Sequence, residues 1–323
     1  MSEQRYILTI ATGKKVFVDM AANLVRSFLW WHQNSGIKFQ LVTDQPQLIP
    51  ADVVDKIQII KVEPGQLGKG FSAKLQLDKL VSEGKTLFID SDCLIFGPLD
   101  TVFDRFKNTG VSVIGGYIAD GDWFGDIGSV CKKFNVPHIP KFNGGIYYLE
   151  KSETSNKVYE TARRLEHDYD AIGFLRLRGL PNDEVLMALA MQLHGQHPVP
   201  DDGTIASDLQ SCRGPYKIDV IKGERTLTNP ALPNPLNQSW YPFNTVSPLV
   251  VHFLGYYTLH YPYLREAYRL KKALAKKLNS INELIAVLSI QLPAVLKEQI
   301  KKTFRPLYRK LAGVRKVKLS DRV

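Results

Sequence analysis

Apolar runs and apolar periodicity alternate along the first third of the chain. Short apolar runs rich in β-branched residues predict strands, whereas apolar side chains spaced three or four residues apart predict helices. The pattern predicts strands at 5–11, 39–43, 56–62 and 85–90, and helices at 16–31 and 71–80. Because strands and helices in this order form a mainly parallel sheet with helices on both faces, we predict an α/β fold.

The pattern becomes less regular after residue 92. It predicts strands at 111–117, 145–149 and 249–254, and helices at 155–166 and 183–193. A glycine-rich acidic loop is predicted at 120–128, and the proline-rich stretch 195–248 is predicted to consist mostly of loops. From residue 263 onward the chain is basic with helical spacing. We therefore predict a main domain at 1–262 and a basic amphipathic helical extension at 263–323.

The positive charge of the chain is concentrated in that extension. The formal net charge is +10, but residues 265–323 hold 16 Lys or Arg against 4 Asp or Glu. This segment therefore contributes +12 and the remainder −2, so the main body is not basic. The basic residues of the extension are not interleaved with stacking aromatics in a groove-like pattern, so we expect no nucleic-acid partner. Basic clusters that alternate with apolar positions favour attachment to an anionic membrane surface. The alternative is an extension that packs on the core and exposes a solvated basic face.

Cysteine usage and the start of the chain bear on location. Cys93, Cys131 and Cys212 are widely spaced without a CxxC pair, which favours a reducing compartment over a disulfide framework or a structural zinc site. The first residues lack a signal-peptide pattern, and no stretch of 18 uncharged apolar residues indicates a spanning helix. We expect a cytoplasmic protein, with the inner face of the membrane as the candidate place of peripheral attachment.

Asp90 and Asp92 lie one residue apart where the predicted strand 85–90 ends. Ligands of open α/β sheets bind at the carboxyl ends of strands, and two carboxylates there suit a hard divalent cation shared with phosphate. His252, in the predicted strand 249–254, is a candidate third ligand, and mixed Asp and His ligation suits Mn²⁺ better than Ca²⁺. Taken alone, the doublet would more often be a turn and the histidine a core residue.

Six short segments resemble motifs of the glycogenin-like family 8 glycosyltransferases, which have the GT-A fold. They lie at 9–12, 71–75, 88–94, 142–147, 182–184 and 250–255 and follow the order of the family. The resemblance implies transfer of a sugar from a UDP-sugar to a hydroxyl of a saccharide or lipid-linked glycan. It also implies Mn²⁺ or Mg²⁺ as cofactor and a retained anomeric configuration. The retaining step would be front-face attack, because no carboxylate in the sequence is an obvious nucleophile.

The resemblance implies a role for each matched residue. Asp90, Asp92 and His252 would ligate the metal, and Asn143 and Asp183 would be catalytic by holding donor hydroxyls and positioning the anomeric carbon. The residues implied in donor binding are Thr9, Ala11 and Thr12 at the uridine, Lys74 at the diphosphate or sugar, and Ser91, Gly144, Gly145 and Gly255. Structural roles are the alternatives: a solvated lysine for Lys74, a turn residue for Asn143 and a helix-start carboxylate for Asp183.

Two positions depart from the family. The family has Lys-Pro-Trp shortly after its His-Phe-x-Gly segment, but Tyr256-Tyr257-Thr258-Leu259-His260 stands at this place. A diphosphate-binding lysine is therefore missing, and Lys74 or a residue of the extension is the candidate replacement. Glu184 stands where the family has glutamine, which leaves the preference for a donor sugar open.

Four aromatic residues of the predicted loops are candidate sugar contacts. Trp123 and Phe124 would stack on an acceptor sugar, close over the donor, or pack as core side chains. Trp240 and Tyr241 pose the same alternatives.

Other functions remain open from the sequence alone. A sugar-nucleotide-binding module without catalysis would keep the nucleotide strand and lose the metal or acceptor site. A phosphatase of the haloacid-dehalogenase kind also has Asp-x-Asp after an apolar strand, but near the N-terminus and followed by a different residue pattern. A dinucleotide oxidoreductase is disfavoured, since the first strand is not followed by GxGxxG.

Overall fold

The computed structural model describes residues 4–106 and 109–313 of the chain. Over these residues the strands are β1 (Arg5–Ile10), β2 (Ile37–Thr43), β3 (Gln58–Lys61), β4 (Lys85–Ile89), β5 (Cys93–Ile95), β6 (Val111–Ser112), β7 (Ile114–Ile118), β8 (Ile139–Phe142), β9 (Ile146–Glu150), β10 (Val199–Pro200), β11 (Ala206–Asp208), β12 (Tyr216–Asp219), β13 (Glu224–Thr228), β14 (Thr245–Val246) and β15 (Val250–His252). The α-helices are α1 (Lys15–Trp31), α2 (Leu77–Leu80), α3 (Asp100–Arg105), α4 (Ile127–Phe134), α5 (Glu153–His167), α6 (Tyr169–Ile172), α7 (Asp183–Leu193), α8 (Tyr263–Leu274), α9 (Ser280–Ala286) and α10 (Leu292–Ala312).

A six-stranded central sheet has the order β3-β2-β1-β4-β9-β6. The first four strands are parallel, and β9 runs antiparallel to both β4 and β6. Because side chains alternate across a strand, Ile7 packs in a core that includes α1, whereas Leu8 packs in a second core that includes α5 and α7. The predicted α/β fold with a mainly parallel sheet and helices on both faces is confirmed.

Three predicted segments differ from the structure. The predicted helix 71–80 is a 3₁₀ helix, Gly70–Gln76, followed by the single α turn of α2. The predicted loop 120–128 runs into α4, whose first turn is capped by the Asp126 side chain; this cap is a sequence signal that the glycines obscured. The predicted loops of 195–248 contain β10 to β14, which are too short to show a clear alternation of apolar and polar side chains.

A small three-stranded sheet, in the order β11-β15-β5, lies next to the central one. Strand β5 follows β4 after only the three residues 90–92, so the chain passes from the large sheet to the small one through the acidic doublet. Strand β15 pairs antiparallel with β5 and parallel with β11. This pairing places the end of β15 beside the end of β4.

The extension consists of two parts with different surroundings. Tyr263 and Leu270 of α8 are buried in the core, and Arg269 binds the carboxylates of Asp219 and Glu283. By contrast, the helical segment Ser280–Leu311 is 32 residues long, and its most apolar stretch is only 6% buried. The domain boundary at 262 and 263 stays a prediction, and its last ten residues, 314–323, lie outside the described residues.

The segment Ser280–Leu311 is long enough and apolar enough to cross a membrane, judged by length and composition only. The sequence rule that required 18 uncharged residues excluded it, whereas a rule that tolerates two charged side chains does not. Its exposed apolar side chains are Ile281, Leu284, Ile285, Val287, Leu288, Leu292, Val295, Leu296, Ile300, Phe304, Leu307, Tyr308 and Leu311.

Candidate functional site

A cleft of about 1790 Å³ opens where β1, β4 and β15 end. A pocket for one small ligand measures roughly 300–1000 Å³, so this cleft has room for a nucleotide sugar and a second substrate. The expected site residues that line it are Thr12, Lys74, Asp90, Ser91, Asp92, Asn143, Gly144, Gly145, Asp183, His252 and Gly255. The structure therefore brings these residues together although they are far apart in the sequence.

Asp92 and His252 meet because β5 and β15 pair. His252 stands opposite Cys93 in this pairing, and the backbone N–H of Phe253 donates to the Asp92 carbonyl over 3.0 Å. The His252 Nε2 atom then lies 2.8 Å from Asp92 Oδ1 and 3.9 Å from Asp90 Oδ2. Among the described residues, Asp92 and His252, together with Cys93, have ligand atoms that all lie within 4.8 Å of one another. Asp90 lies outside this group: its Oδ2 is 3.9 Å from His252 and is paired with Lys74. The carboxylate of Asp92 and the imidazole of His252 are donors that fit Mn²⁺, with Asp90 as the neighbouring carboxylate.

His252 is buried and the two aspartates beside it are half-buried, and the pKa values of all three reflect this. Burial lowers the pKa of His252, but the Asp92 and Asp90 carboxylates more than offset it and raise that pKa to about 9. Burial raises the pKa of Asp92, but the neighbouring His252 outweighs it, so this pKa lies below its usual range. Burial raises the pKa of Asp90 more than the Lys74 ammonium lowers it.

Cys93 is a neighbour of the site that the sequence did not indicate. Its Sγ lies within 4.8 Å of the ligand atoms of Asp92 and His252. Burial, and then the carboxylates of Asp92 and Asp90, raise the pKa of its thiol well above the usual value. A thiolate is the form of cysteine that binds metals, so Cys93 would contribute as a ligand only after losing its proton.

Lys74 occupies the centre of a buried charge cluster and is not a solvated helix lysine. Its ammonium group donates to Asp90 Oδ2 and to the Gly144 carbonyl, each over 2.8 Å, and lies 3.8 Å from Asp183 Oδ2. Burial opposes its charge, but Asp183 and Asp90 outweigh burial and raise its pKa. With these oxygens around it, Lys74 is fixed as the link between the doublet and α7.

Two glycines allow the chain to approach these side chains. A Cβ atom on Gly145 would lie 2.7 Å from His252 Nδ1, and one on Gly144 would lie 3.1 Å from Asp183 Oδ2. The Asn143 side chain accepts a hydrogen bond from the Gly145 N–H over 2.9 Å, and its Oδ1 lies 3.2 Å from His252 Nδ1. Asn143 therefore fixes the turn and also orients the imidazole that faces Asp92.

Helix α7 begins at the cleft with two acidic residues. Asp183 is 2% exposed and accepts a 2.6 Å hydrogen bond from the Tyr147 hydroxyl, and Asn182 caps the helix through the Glu184 N–H. Glu184 accepts a hydrogen bond from the Gly144 N–H over 2.7 Å. Burial, and then the Asp183 charge, raise the pKa of Glu184 to about 7. Tyr147 is a partner of this site that no sequence signal distinguished from other core aromatics.

The predicted uridine contacts occupy two different environments. Thr12 lines the cleft, as does its neighbour Ile10. The side chain of Thr9 is fully buried in β1, and Ala11 is buried with its N–H bonded to the Val42 carbonyl. A nucleotide in the cleft would therefore have to contact Thr9 or Ala11 through backbone atoms and not through their side chains.

The four aromatic candidates all line the cleft. Trp123 and Phe124 are half-buried and pack against the core, and the Trp123 ring meets the Phe142 ring edge-on at 6.0 Å. Tyr241 donates or accepts a 2.7 Å hydrogen bond with Ser207, whereas Trp240 is 60% exposed. Trp240 is therefore the aromatic face that is most accessible to a ligand.

Binding of Mn²⁺ to this cluster is predicted to release about one proton, because His252 must lose its proton to act as a ligand. With the His252 pKa raised to about 9, the apparent affinity should rise roughly tenfold per pH unit between about pH 6 and pH 8. Titration calorimetry in two buffers of different ionisation enthalpy measures both quantities. His252→Gln should abolish the pH dependence, and His194→Gln, away from the cleft, should keep it. A Mn²⁺ affinity that is independent of pH would contradict the assignment.

The fold recurs in solved structures. No protein-family model and no curated protein sequence matches the chain. The chain is similar to the galactosyltransferase LgtC in complex with donor and acceptor sugar analogues, with a TM-score of 0.52, 14% sequence identity and coverage of 87% of this chain and 98% of that one. An active-site mutant of LgtC gives a TM-score of 0.53 at 13% identity, with the same coverage. The bifunctional glycosyltransferase WbbM gives 0.51 at 10% identity, covering 86% of this chain and 52% of that one. The chain therefore has the GT-A fold of these glycosyltransferases.

Proposed function

We propose that this protein transfers a sugar from a UDP-sugar to an acceptor hydroxyl, with a divalent cation held by Asp90, Asp92 and His252. The observation that carries the proposal is the convergence of these three side chains, from two sheets, in a large cleft of the GT-A fold. When bound, Mn²⁺ or Mg²⁺ would offset the charge that develops on the leaving diphosphate. The fold alone would not carry this proposal, because one fold can support many functions.

The chain's own residues supply the positioning of the donor. Asp183 is held by Tyr147 and Lys74, so its carboxylate keeps one direction and can accept hydrogen bonds from donor hydroxyls. Asn143 fixes the turn before β9 at the edge of the cleft. Thr12, Ser91 and Gly255 line the same cleft, and we assign them to donor binding.

A sugar-nucleotide-binding module without catalysis is the second candidate function. The observation in its favour is the segment Tyr256–His260, which lacks the lysine expected for the diphosphate. LgtC was solved with both a donor and an acceptor analogue, and the size of the present cleft supports two substrates in this chain as well. The phosphatase alternative gains no support from the sheet order.

Asp92→Asn should reduce UDP release from a UDP-sugar with Mn²⁺ by at least about 100-fold, because it removes the anionic oxygen nearest to His252. The measurement is UDP release across a panel of UDP-sugars, with and without candidate acceptors. Asp55→Asn, at an exposed position, is the matched control and should leave the rate unchanged. If the unaltered chain binds UDP-sugars and releases UDP from none of them, the module without catalysis is the correct function.

The transferred sugar is predicted to retain its anomeric configuration. Lys74 and Tyr147 already engage Asp183, and the Gly144 N–H engages Glu184, so neither carboxylate is arranged as the nucleophile of a double displacement. Retention, which the resemblance to family 8 implies, would then come from attack by the acceptor hydroxyl on the side of the leaving group. The NMR coupling constant of the anomeric proton of the transferred sugar, measured in the glycoside product, gives the configuration. A product with the opposite configuration to the donor would disprove front-face attack.

We also propose that the segment Ser280–Leu311 attaches the protein to an anionic membrane surface, on the cytoplasmic face. Its apolar side chains are exposed over several turns, although apolar groups of this number are usually covered in a folded protein. Basic residues alternate with them; they are Lys297, Lys301, Lys302, Arg305, Arg309 and Lys310. Each contributes about 1 kcal/mol next to an anionic lipid surface. A saccharide acceptor linked to a lipid would be presented at the same surface.

Flotation with liposomes tests this attachment. The chain of residues 1–323 should float with vesicles that contain about 30% anionic lipid and much less with neutral vesicles, because charge supplies part of the binding. A variant that ends at residue 278 keeps the buried residues of α8 but loses the ion pair between Arg269 and Glu283, so it should stay folded, melt at a somewhat lower temperature and not float. Equal flotation of both variants would reject the attachment. Release by high salt would indicate a surface helix, and retention in salt would indicate a spanning one.

A further inference from the structure

The proposed metal site has no excess positive charge before a nucleotide is considered. Asp90, Asp92, Asp183 and the buried Asp208 beside His252 face Lys74 and one divalent cation, with His252 neutral as a ligand. UDP leaves with more negative charge than the bound donor carried. In a site of low dielectric constant, a charge without a partner has a higher electrostatic free energy than it has in water. The departing diphosphate therefore needs a further cation. Lys74 is already engaged by Asp90 and Gly144 and lies 3.8 Å from Asp183, so we look for this cation elsewhere in the cleft.

The cationic side chains that line the cleft in the described part of the chain are Lys14, Lys69, Lys74, Lys141, Arg178 and Arg213. These side chains belong to different segments of the chain, which can be compared by whether they adjoin β15, the strand that carries His252. Arg178 is on the turn that joins Leu177 to Leu180, and Lys69 is in the glycine-flanked segment before the 3₁₀ helix. Arg213 alone among them follows a strand that pairs directly with β15.

Arg213 is held next to the end of β15 by a tight turn. Strand β11 pairs in parallel with β15, and this register places Asp208 beside His252. The buried Asp208 carboxylate accepts hydrogen bonds from the N–H groups of Gln210 and Ser211, each over 2.7 Å. Arg213 follows this turn, and its Nε donates to the Gln210 carbonyl over 3.2 Å. Arg213 is exposed and lines the cleft at this place.

Arg213, Tyr256, Tyr257 and Thr258 line the same cleft. Burial raises the pKa of Tyr257 and the positive charge of Arg213 opposes this rise, so the two side chains are electrostatic neighbours. Tyr257 belongs to the segment Tyr256–His260, which follows Gly255 and contains no lysine. Within residues 4–106 and 109–313, no carboxylate forms an ion pair with Arg213. Its two terminal nitrogens are therefore available for a ligand.

We propose that Arg213 binds the diphosphate of the donor and takes the place of the lysine that is missing after Gly255. A guanidinium group suits this role, because its planar fork binds two phosphate oxygens at once and stays charged at every working pH. The family has its diphosphate-binding cation in the segment that corresponds to the one after β15. In this chain we assign that role to the segment after the neighbouring strand β11. This inference rests on the proposed function, since it assumes a nucleotide diphosphate in the cleft.

The test is titration calorimetry of UDP and UMP, both with Mn²⁺, against the unaltered chain and Arg213→Ala. The variant should bind UDP about 10- to 100-fold more weakly and UMP less than about threefold more weakly, because only UDP has the second phosphate. Arg213→Lys should lie between the two, since an ammonium group lacks the fork. Arg176→Ala is the matched control; Arg176 pairs with Asp170 and does not line the cleft. It should leave both affinities unchanged.

The outcomes separate this inference from the proposed function. If the unaltered chain binds UDP and Arg213→Ala binds it equally well, Arg213 has no part in diphosphate binding. Equal losses for UDP and UMP would also overturn the inference, because they would indicate general damage to the cleft. If the unaltered chain binds neither nucleotide with Mn²⁺, the proposed function fails and the inference fails with it.

Discussion

The antiparallel pairing of β15 with β5 is the constraint on which the site depends. This pairing determines how close His252 comes to the acidic doublet, since β5 begins one residue after Asp92. The approach also requires a residue without a Cβ atom at position 145, where the turn before β9 touches the imidazole. The carboxylates follow the parallel strand β4, and the imidazole comes from β15 of the small sheet. The glycine turn before β9 packs against the imidazole.

The short distances between these charged side chains raise the electrostatic free energy of the site. Several carboxylates lie within one buried region with Lys74 as the cation that links them. Removing a charge from water costs several kcal/mol unless partners compensate it, and the raised pKa values of Asp90 and Glu184 express this cost. A divalent cation would relieve it at the doublet. The site is therefore arranged for a ligand that brings positive charge, followed by one that brings negative charge.

The sequence predicted the parallel part of the sheet and the separate segments of the site, because long apolar runs and helix periodicity are local signals. Eleven of the expected residues line one cleft, and their order along the chain had indicated this. Thr9 and Ala11 were expected in the site but do not line this cleft. A sequence match to a strand does not show which of its side chains face the ligand.

Other features depend on contacts between distant residues and could not be predicted. The link from Lys74 to Asp183, the hydroxyl of Tyr147 and the thiol of Cys93 become visible only once β4, β9 and β15 are side by side. The departure after Gly255 was visible in the sequence, but its replacement was not, because Arg213 lies 42 positions earlier in the chain. The register between β11 and β15 brings the two places together.

The most direct test of the central claim is a crystal structure with Mn²⁺ and UDP, recorded with anomalous scattering from manganese. The account predicts one strong anomalous peak between Asp92 and His252, within bonding distance of both and of the diphosphate, with Asp90 as a further ligand. A cleft that contains UDP without manganese at these side chains, or a manganese peak elsewhere, would contradict it.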